Sequence, residues 1–192
     1  NAGVKVYVAL NTLVFGHELH EVEDLILQCA RVSVDALIVQ DFGVLKLARQ
    51  MMSSVDSTST TKMQIHASTQ QTITSSDGAA FSDGLGCSRI VLGRELSVDE
   101  IRTIADEVPD VELEAFVHGA LCVSYSGQCF SSEFAGGRSA NRGQCAQACR
   151  LPYGLIRDGE LVDLQDFSYL LSPQDLCGLD HVPQLLDANV QC

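Results

Sequence analysis

The chain's strongest constraint is a repeat: a short apolar strand, a polar tip, then a helix, returning at intervals of roughly 25 residues. Val4 to Leu10 is β-rich and ends at Asn11, and Glu18 to Val32 then carries Leu19, Val22, Ile26 and Cys29 on one helical face. Cys29, on that face, is expected to be a buried structural thiol. Asp35 to Val39 is a second strand, tipped by Gln40 and Asp41 and followed by a short helix from Val44 to Met51. A third strand opens at Met63–Ile65, with His66 to Gln70 at its tip and a helix predicted over Ser76–Leu85. Arg89 to Leu92 ends in Gly93-Arg94-Glu95, and Ser97-Val98-Asp99-Glu100 has the pattern of a capping box before Ile101, Ile104 and Val108. A fifth strand, Leu113 to Val117, is tipped by His118 and Gly119.

Val/Ile/Leu-rich strands alternating with helices require parallel pairing and right-handed crossovers. No glycine-rich phosphate loop follows the first strand. The expected class is therefore α/β, a (β/α) TIM-barrel-like domain rather than a doubly wound sheet. The barrel is expected to be incomplete, occupying residues 1–122. With neither an initiator methionine nor a signal peptide, the chain reads as a fragment of a longer protein. The run Ser53 to Thr61 is polar and low in complexity, as a surface loop would be. In a barrel the tips would converge on one mouth: Asn11, Gln40, Asp41, His66, Ser68, Gln70, Arg94, Glu95, His118 and Cys122. Singly, each is a helix cap or loop hydrogen-bonder, and Arg94 and Glu95 could form an internal ion pair.

Residues 123–192 change character: a cysteine-rich loop, then a hairpin turning at Asp158-Gly159, then a helix starting at Ser172-Pro173. Cys122, Cys129, Cys145 and Cys149 stand in C-x6-C-x15-C-x3-C order. Eight cysteines without a secretory signal favour metal or cluster ligation over disulfides. The C-x3-C end suits half a zinc knuckle, whereas x6 does not, and the set as a whole suits an iron–sulfur cluster. Spacing alone leaves cluster, zinc and disulfides open. Cys177 is a fifth candidate, although in the predicted helix it would be a buried thiol; Cys87 and Cys192 carry no spacing signal. There is no G-x-S-x-G elbow and no H-E-x-x-H, and nothing singles out one thiol as a protease nucleophile. A net charge of −13 argues against a broad phosphate-binding face in this piece, so any RNA would be bound mainly by other parts of the parent protein. No apolar run reaches the roughly 20 residues of a membrane span.

Glu114, Phe116, Gly119, Ala120, Leu121, Cys122, Gly127 and Cys129 fill a pattern E-x-F-x2-G-[SA]-L-C-x4-G-x-C that resembles the peptidase U32 family. The likeness extends through NTL (11–13), DALIVQDFGV (35–44), HASTQ (66–70), VLGREL (91–96) and ANRGQCAQACRLPY (140–153). Ser131 departs from the aliphatic residue that the pattern has there. The resemblance implies a (β/α)-barrel-like catalytic domain that binds a [4Fe–4S] cluster through Cys122, Cys129, Cys145 and Cys149, with Cys177 as alternate. It implies oxygen-independent hydroxylation, most like the branch that makes 5-hydroxycytidine in 23S rRNA, with prephenate as a source of the hydroxyl oxygen. Hydroxylation of tRNA uridine or of a ubiquinone precursor, or the peptidase and collagenase activity of the older family label, are the alternatives. His118, His66, Arg94 and Glu95 would be acid/base or carboxylate-binding groups beside the cluster, and the setting cytoplasmic or an organelle matrix.

Overall fold

A computed structural model describes residues 3–54 and 63–192. Positions 55–61 of the polar run lie outside the described residues. Five strands form one parallel sheet: β1 (Tyr7–Leu10), β2 (Ala36–Val39), β3 (Gln64–Ala67), β4 (Arg89–Val91) and β5 (Glu112–Glu114). Their order is β1-β2-β3-β4-β5, each strand beside its successor, with Tyr7 opposite Ala36, Val39 opposite Ala67 and Ile90 opposite Leu113. A doubly wound sheet would reverse direction at a switch point, and this one does not. A parallel bridge from Leu113 to Val190 carries the ladder past β5.

The crossovers are α1 (Leu19–Arg31), α2 (Phe42–Ser54), α3 (Ser76–Gly84) and α4 (Val98–Glu107). The last three start at a side-chain cap. Asp41 accepts from the Gly43 and Val44 amides at 2.7 and 3.0 Å, and Ser75 from Gly78 at 3.2 Å. Ser97 and Glu100 complete the capping box, with the Ser97 amide 2.7 Å from the Glu100 carboxylate. The helices seal one face of the sheet. Val22, Ile26 and Cys29 of α1, Leu45 and Ala48 of α2, and Ile101 and Ile104 of α4 meet Leu37, Val39, Ile65, Ile90 and Leu113 in one core. Cys29 is buried there as expected, and Cys87 is buried too; burial raises both thiols, Cys87 to about 11, where the nearby Asp83 carboxylate adds to the effect.

Strand alternation sends the intervening side chains to the opposite face. His66 sits between Ile38 and Arg89 in register, and Arg89 beside Glu112. Arg89 binds Glu112 at 2.6 Å and lies over the Tyr7 ring, whose edge meets His66 at a centroid distance of 4.9 Å.

The C-terminal part departs from expectation. The sheet strand stops at Glu114, and His118–Ala120 is a separate strand, β6, so His118 does not tip the fifth parallel strand. The loop also contains a short helix, α5 (Ser131–Gly136), that sequence periodicity did not reveal. The hairpin forms as expected from β7 (Ile156–Arg157) and β8 (Glu160–Leu161), with Asp158 and Gly159 both at positive φ, as a type I′ turn requires. No helix begins at Ser172-Pro173. Asp175–Cys177 is strand β9, antiparallel to β6, and helix α6 waits until Val182–Asp187. Arg150 donates to the Ser172 hydroxyl, the Pro173 carbonyl and the Asp175 carboxylate at 3.0–3.3 Å, so the serine that would cap a helix is already engaged. Cys177 is consequently exposed on a strand, not buried in a helix.

Leu37 is 0% exposed and Phe134 is 95% exposed. Leu37→Ala should lower unfolding free energy in urea by about 3 kcal/mol, and Phe134→Ala by less than about 0.5 kcal/mol. Equal effects of the two substitutions would contradict the placement of the core.

Candidate functional site

The segment from Cys122 to Cys129 is fastened to the sheet through Ser126, which is 0% exposed. Its amide donates to Glu95 at 2.8 Å, and its hydroxyl lies 3.3 Å from the same carboxylate and 3.1 Å from Arg94 Nε. The Thr69 hydroxyl is 3.3 Å from that of Ser126 and 2.9 Å from the Leu92 carbonyl. The Thr72 hydroxyl donates to the Ser126 carbonyl. The connections after β3 and β4 therefore both close on one serine. Next to it Gly127 has φ +72°, and a Cβ there would fall 2.0 Å from the Gln70 carbonyl oxygen, so only glycine lets the loop approach so closely. Arg94 and Glu95 do not pair with each other; both are committed to Ser126, and Arg94 Nη1 reaches Cys122 Sγ at 2.8 Å.

A second brace holds Cys129. Asn141 accepts from its amide at 3.2 Å and donates to its carbonyl at 3.0 Å. Burial raises the Cys129 thiol, but the Ser131 and Ser132 amides and the Ser124 and Ser131 hydroxyls outweigh it and hold the thiol below its ordinary value. Cys149 is shifted the other way, first by burial and then by the negative charge of Cys145, with Cys122 and Cys129 adding to it. The Ser132 hydroxyl lies 3.9 Å from Cys145 Sγ, and Arg150, next to Cys149, donates to the Leu121 carbonyl at 2.9 Å. Cys149 is thus the thiol that feels the other three. Among the described residues, however, no three His, Cys, Asp or Glu side chains close on a single metal ion. All eight cysteines carry free thiols.

The remaining candidates divide. Asp41 is a helix cap, and Ser68 caps the turn after β3 by accepting from the Gln70 amide at 3.1 Å. His66 is 0% exposed, with its Nδ1 buried and unpartnered, and its ring neighbours are Tyr7 and Gln64 rather than the cysteine loop. His118 is exposed on β6, directly opposite Cys177. Gln40 Oε1 is also buried without a partner. Ser126, Asn141 and Arg142 are the residues sequence reasoning passed over. Arg142 crosses to the first βα connection, where it binds Glu18 at 2.7 Å and stacks 4.7 Å above the Phe15 ring. Their only signal was position, between or beside the cysteines in a turn-rich stretch.

Fold and site together define an α/β protein whose parallel sheet carries a thiol-rich loop, clamped to the connections that leave the carboxyl ends of its third and fourth strands. The model of peptidase family U32 matches residues 1–192, and the chain belongs to that family. It is 43% identical over 190 residues to the 23S rRNA 5-hydroxycytidine C2501 synthase of Escherichia coli, covering 98% of this chain and 27% of that protein. An uncharacterized protease of Methanocaldococcus jannaschii is 39% identical over 190 residues, covering 95% of this chain and 44% of the relative. The tRNA hydroxylation protein P1 of Bacillus subtilis is 32% identical over 193 residues, covering 98% and 44%. The chain thus spans less than half the length of these relatives.

Burial, followed by the charge of Arg89, lowers His66 from 6.5 to about 4. The unfolded chain therefore binds this proton first. Stability contributed at His66 is complete above about pH 6.5 and is lost as pH falls towards 4, by up to roughly 3 kcal/mol. NMR titration should find the His66 ring neutral at pH 5.5; a midpoint near 6.5 would contradict its burial.

Proposed function

We propose that this chain is the thiol-bearing catalytic part of an iron–sulfur enzyme that hydroxylates RNA without molecular oxygen, with a cytidine of 23S rRNA as the preferred target. The observation that carries it is the set of Cys122, Cys129, Cys145 and Cys149 on one clamped loop system, with the charges of the other three converging on Cys149. That donor set fits a [4Fe–4S] cluster. It is all sulfur, the donor type such clusters take. Membership in the U32 family and the names of two relatives, an rRNA hydroxycytidine synthase and a tRNA hydroxylation protein, support the RNA reading. The consecutive parallel strands, extended by the bridge at Val190, follow the wall order of a (β/α) barrel, which we take the domain to be.

With all four thiols bound, the cluster would supply electron transfer; Lewis-acid chemistry would require one of the four thiols to stay off its iron. The protein's own groups do the rest. Arg94 donates to the Cys122 sulfur through Nη1 and is itself aimed by Ser126. One hydrogen each of Nε and Nη1 is thereby engaged, and the three remaining N–H donors are those available to a dicarboxylate donor such as prephenate. Glu95 fixes the loop through Ser126, and His66 stays neutral and enclosed. His118, opposite Cys177 on the paired strand, is open to solvent. An RNA-modifying role sets the protein in the cytoplasm or an organelle matrix, and no described helix is long and apolar enough to cross a membrane.

The protease name of one relative favours peptide hydrolysis as a second reading. Against it, among the described residues no cysteine or serine side chain is hydrogen-bonded to a histidine ring; the ring partners are Gln64 and Gln184.

Anaerobically purified protein should contain about four iron and four sulfide per chain. Cys122→Ser or Cys145→Ser should remove both and abolish 5-hydroxycytidine in the rRNA of a complemented knockout strain. A colourless wild-type protein that cleaves peptides would overturn the proposal.

A further inference from the structure

A cavity of about 620 Å³ lies between the first βα connection and the cysteine loop, a size in the usual range for small-molecule sites. Two aromatic residues far apart in the sequence, Phe15 and Phe130, line it. Phe15 is already covered by Arg142 at 4.7 Å, whereas Phe130 is 68% exposed and offers an open ring face. Gln128 and Phe130, the sequence neighbours of Cys129, both line the cavity, as does Asn141, which braces the Cys129 backbone from both sides. Whatever fills this space therefore lies at the Cys129 edge of the thiol site.

The polar lining is selective in its chemistry. Asn141 is spent on Cys129, and Arg142 on Glu18 and the Leu13 carbonyl. Gln128 uses its amide nitrogen on Thr72 at 3.3 Å, which leaves its carbonyl oxygen. Glu133 is exposed and has no side-chain partner among the described residues. An open aromatic face flanked by two hydrogen-bond acceptors matches a flat ring bearing an amino group. In nucleic-acid recognition a carboxylate accepts from the cytosine amine, and single-stranded bases stack on exposed aromatic rings. The surroundings suit a phosphate backbone better than the rest of the chain does. Residues 115–157 hold four arginines against one glutamate in a chain of net charge −13. Arg142 and Arg150 are committed to Glu18 and Asp175, but Arg138, next to the cavity-lining Ser139, is exposed with no side-chain partner among the described residues.

We infer that this cavity is the pocket for the target base: an unstacked cytosine of single-stranded RNA lies on Phe130 and donates its amino group to Glu133 and Gln128, while Arg138 meets the strand's phosphates. The inference rests on the RNA reading above. The iron-loaded full chain is titrated by fluorescence anisotropy with three labelled oligouridine strands that carry one cytidine, one uridine or one abasic residue at the same central position. Wild type should bind the cytidine strand about tenfold more tightly than the abasic strand, the contribution of one stacked base. Phe130→Ala should reduce that ratio to less than about twofold, a collapse of the base-stacking contribution. Glu133→Gln should keep the preference over the abasic strand and lose that over uridine. Phe134→Ala, outside the lining, should keep both, and iron content should not change in any variant. If wild type binds RNA without preference, or Phe130→Ala keeps the preference, the pocket is wrong and the RNA reading stands. If wild type neither binds nor hydroxylates RNA, both are wrong.

Discussion

A buried serine is expensive unless every polar atom it carries is satisfied, and Ser126 meets that condition through four different residues. Its amide, hydroxyl and carbonyl are taken by Glu95, Arg94, Thr69 and Thr72, which come from the connections after β3 and β4. The thiol loop has few buried apolar side chains of its own, so polar contacts must set its position. Gly127 shows how tight the fit is, because no side chain could stand against the Gln70 carbonyl. Loss of Ser126 from this position would leave Glu95 without its hydrogen bonds and Arg94 with Cys122 alone.

From that anchor the site is built outwards. Arg94 leaves Ser126 and ends on the Cys122 sulfur. Asn141 fixes Cys129, and Arg150 ties the stretch beside Cys149 both to Leu121 and to the start of β9. Hydrogen bonds hold Cys129 low while burial and neighbouring charge hold Cys149 high, so the four thiols are not equivalent before any metal arrives. Arg142 then joins the loop to the first βα connection, closing the cavity next to Cys129.

Elements set by local chemistry could be read from the sequence. The face of Val22, Ile26 and Cys29, the capping box at Ser97 and Glu100, and the turn at Asp158-Gly159 all form as their residues dictate. Contacts across long sequence separations could not. Ser172-Pro173 has a helix-start pattern, but Arg150, more than 20 residues earlier, takes the serine, and β6 takes the next segment as a strand. His66 looked like a strand tip because the motif around it is polar. It is the third residue of a four-residue strand, and period-two alternation turns it onto the Tyr7–Arg89 face, away from the loop. The cysteine spacing was visible at once, whereas the serine, glycine and asparagine that hold the cysteines in place look like ordinary turn residues until the strand ends are brought beside them.

Native-state hydrogen exchange at the Ser126 amide tests the clamp most directly. Held by Glu95 at 2.8 Å inside a fully buried residue, it should exchange as slowly as the amides of β3 and β4, and Glu95→Ala should release it without loosening those strands. An amide that exchanges as fast as the exposed C-terminal end of α5 at Gly136, in the wild-type protein, would contradict the account.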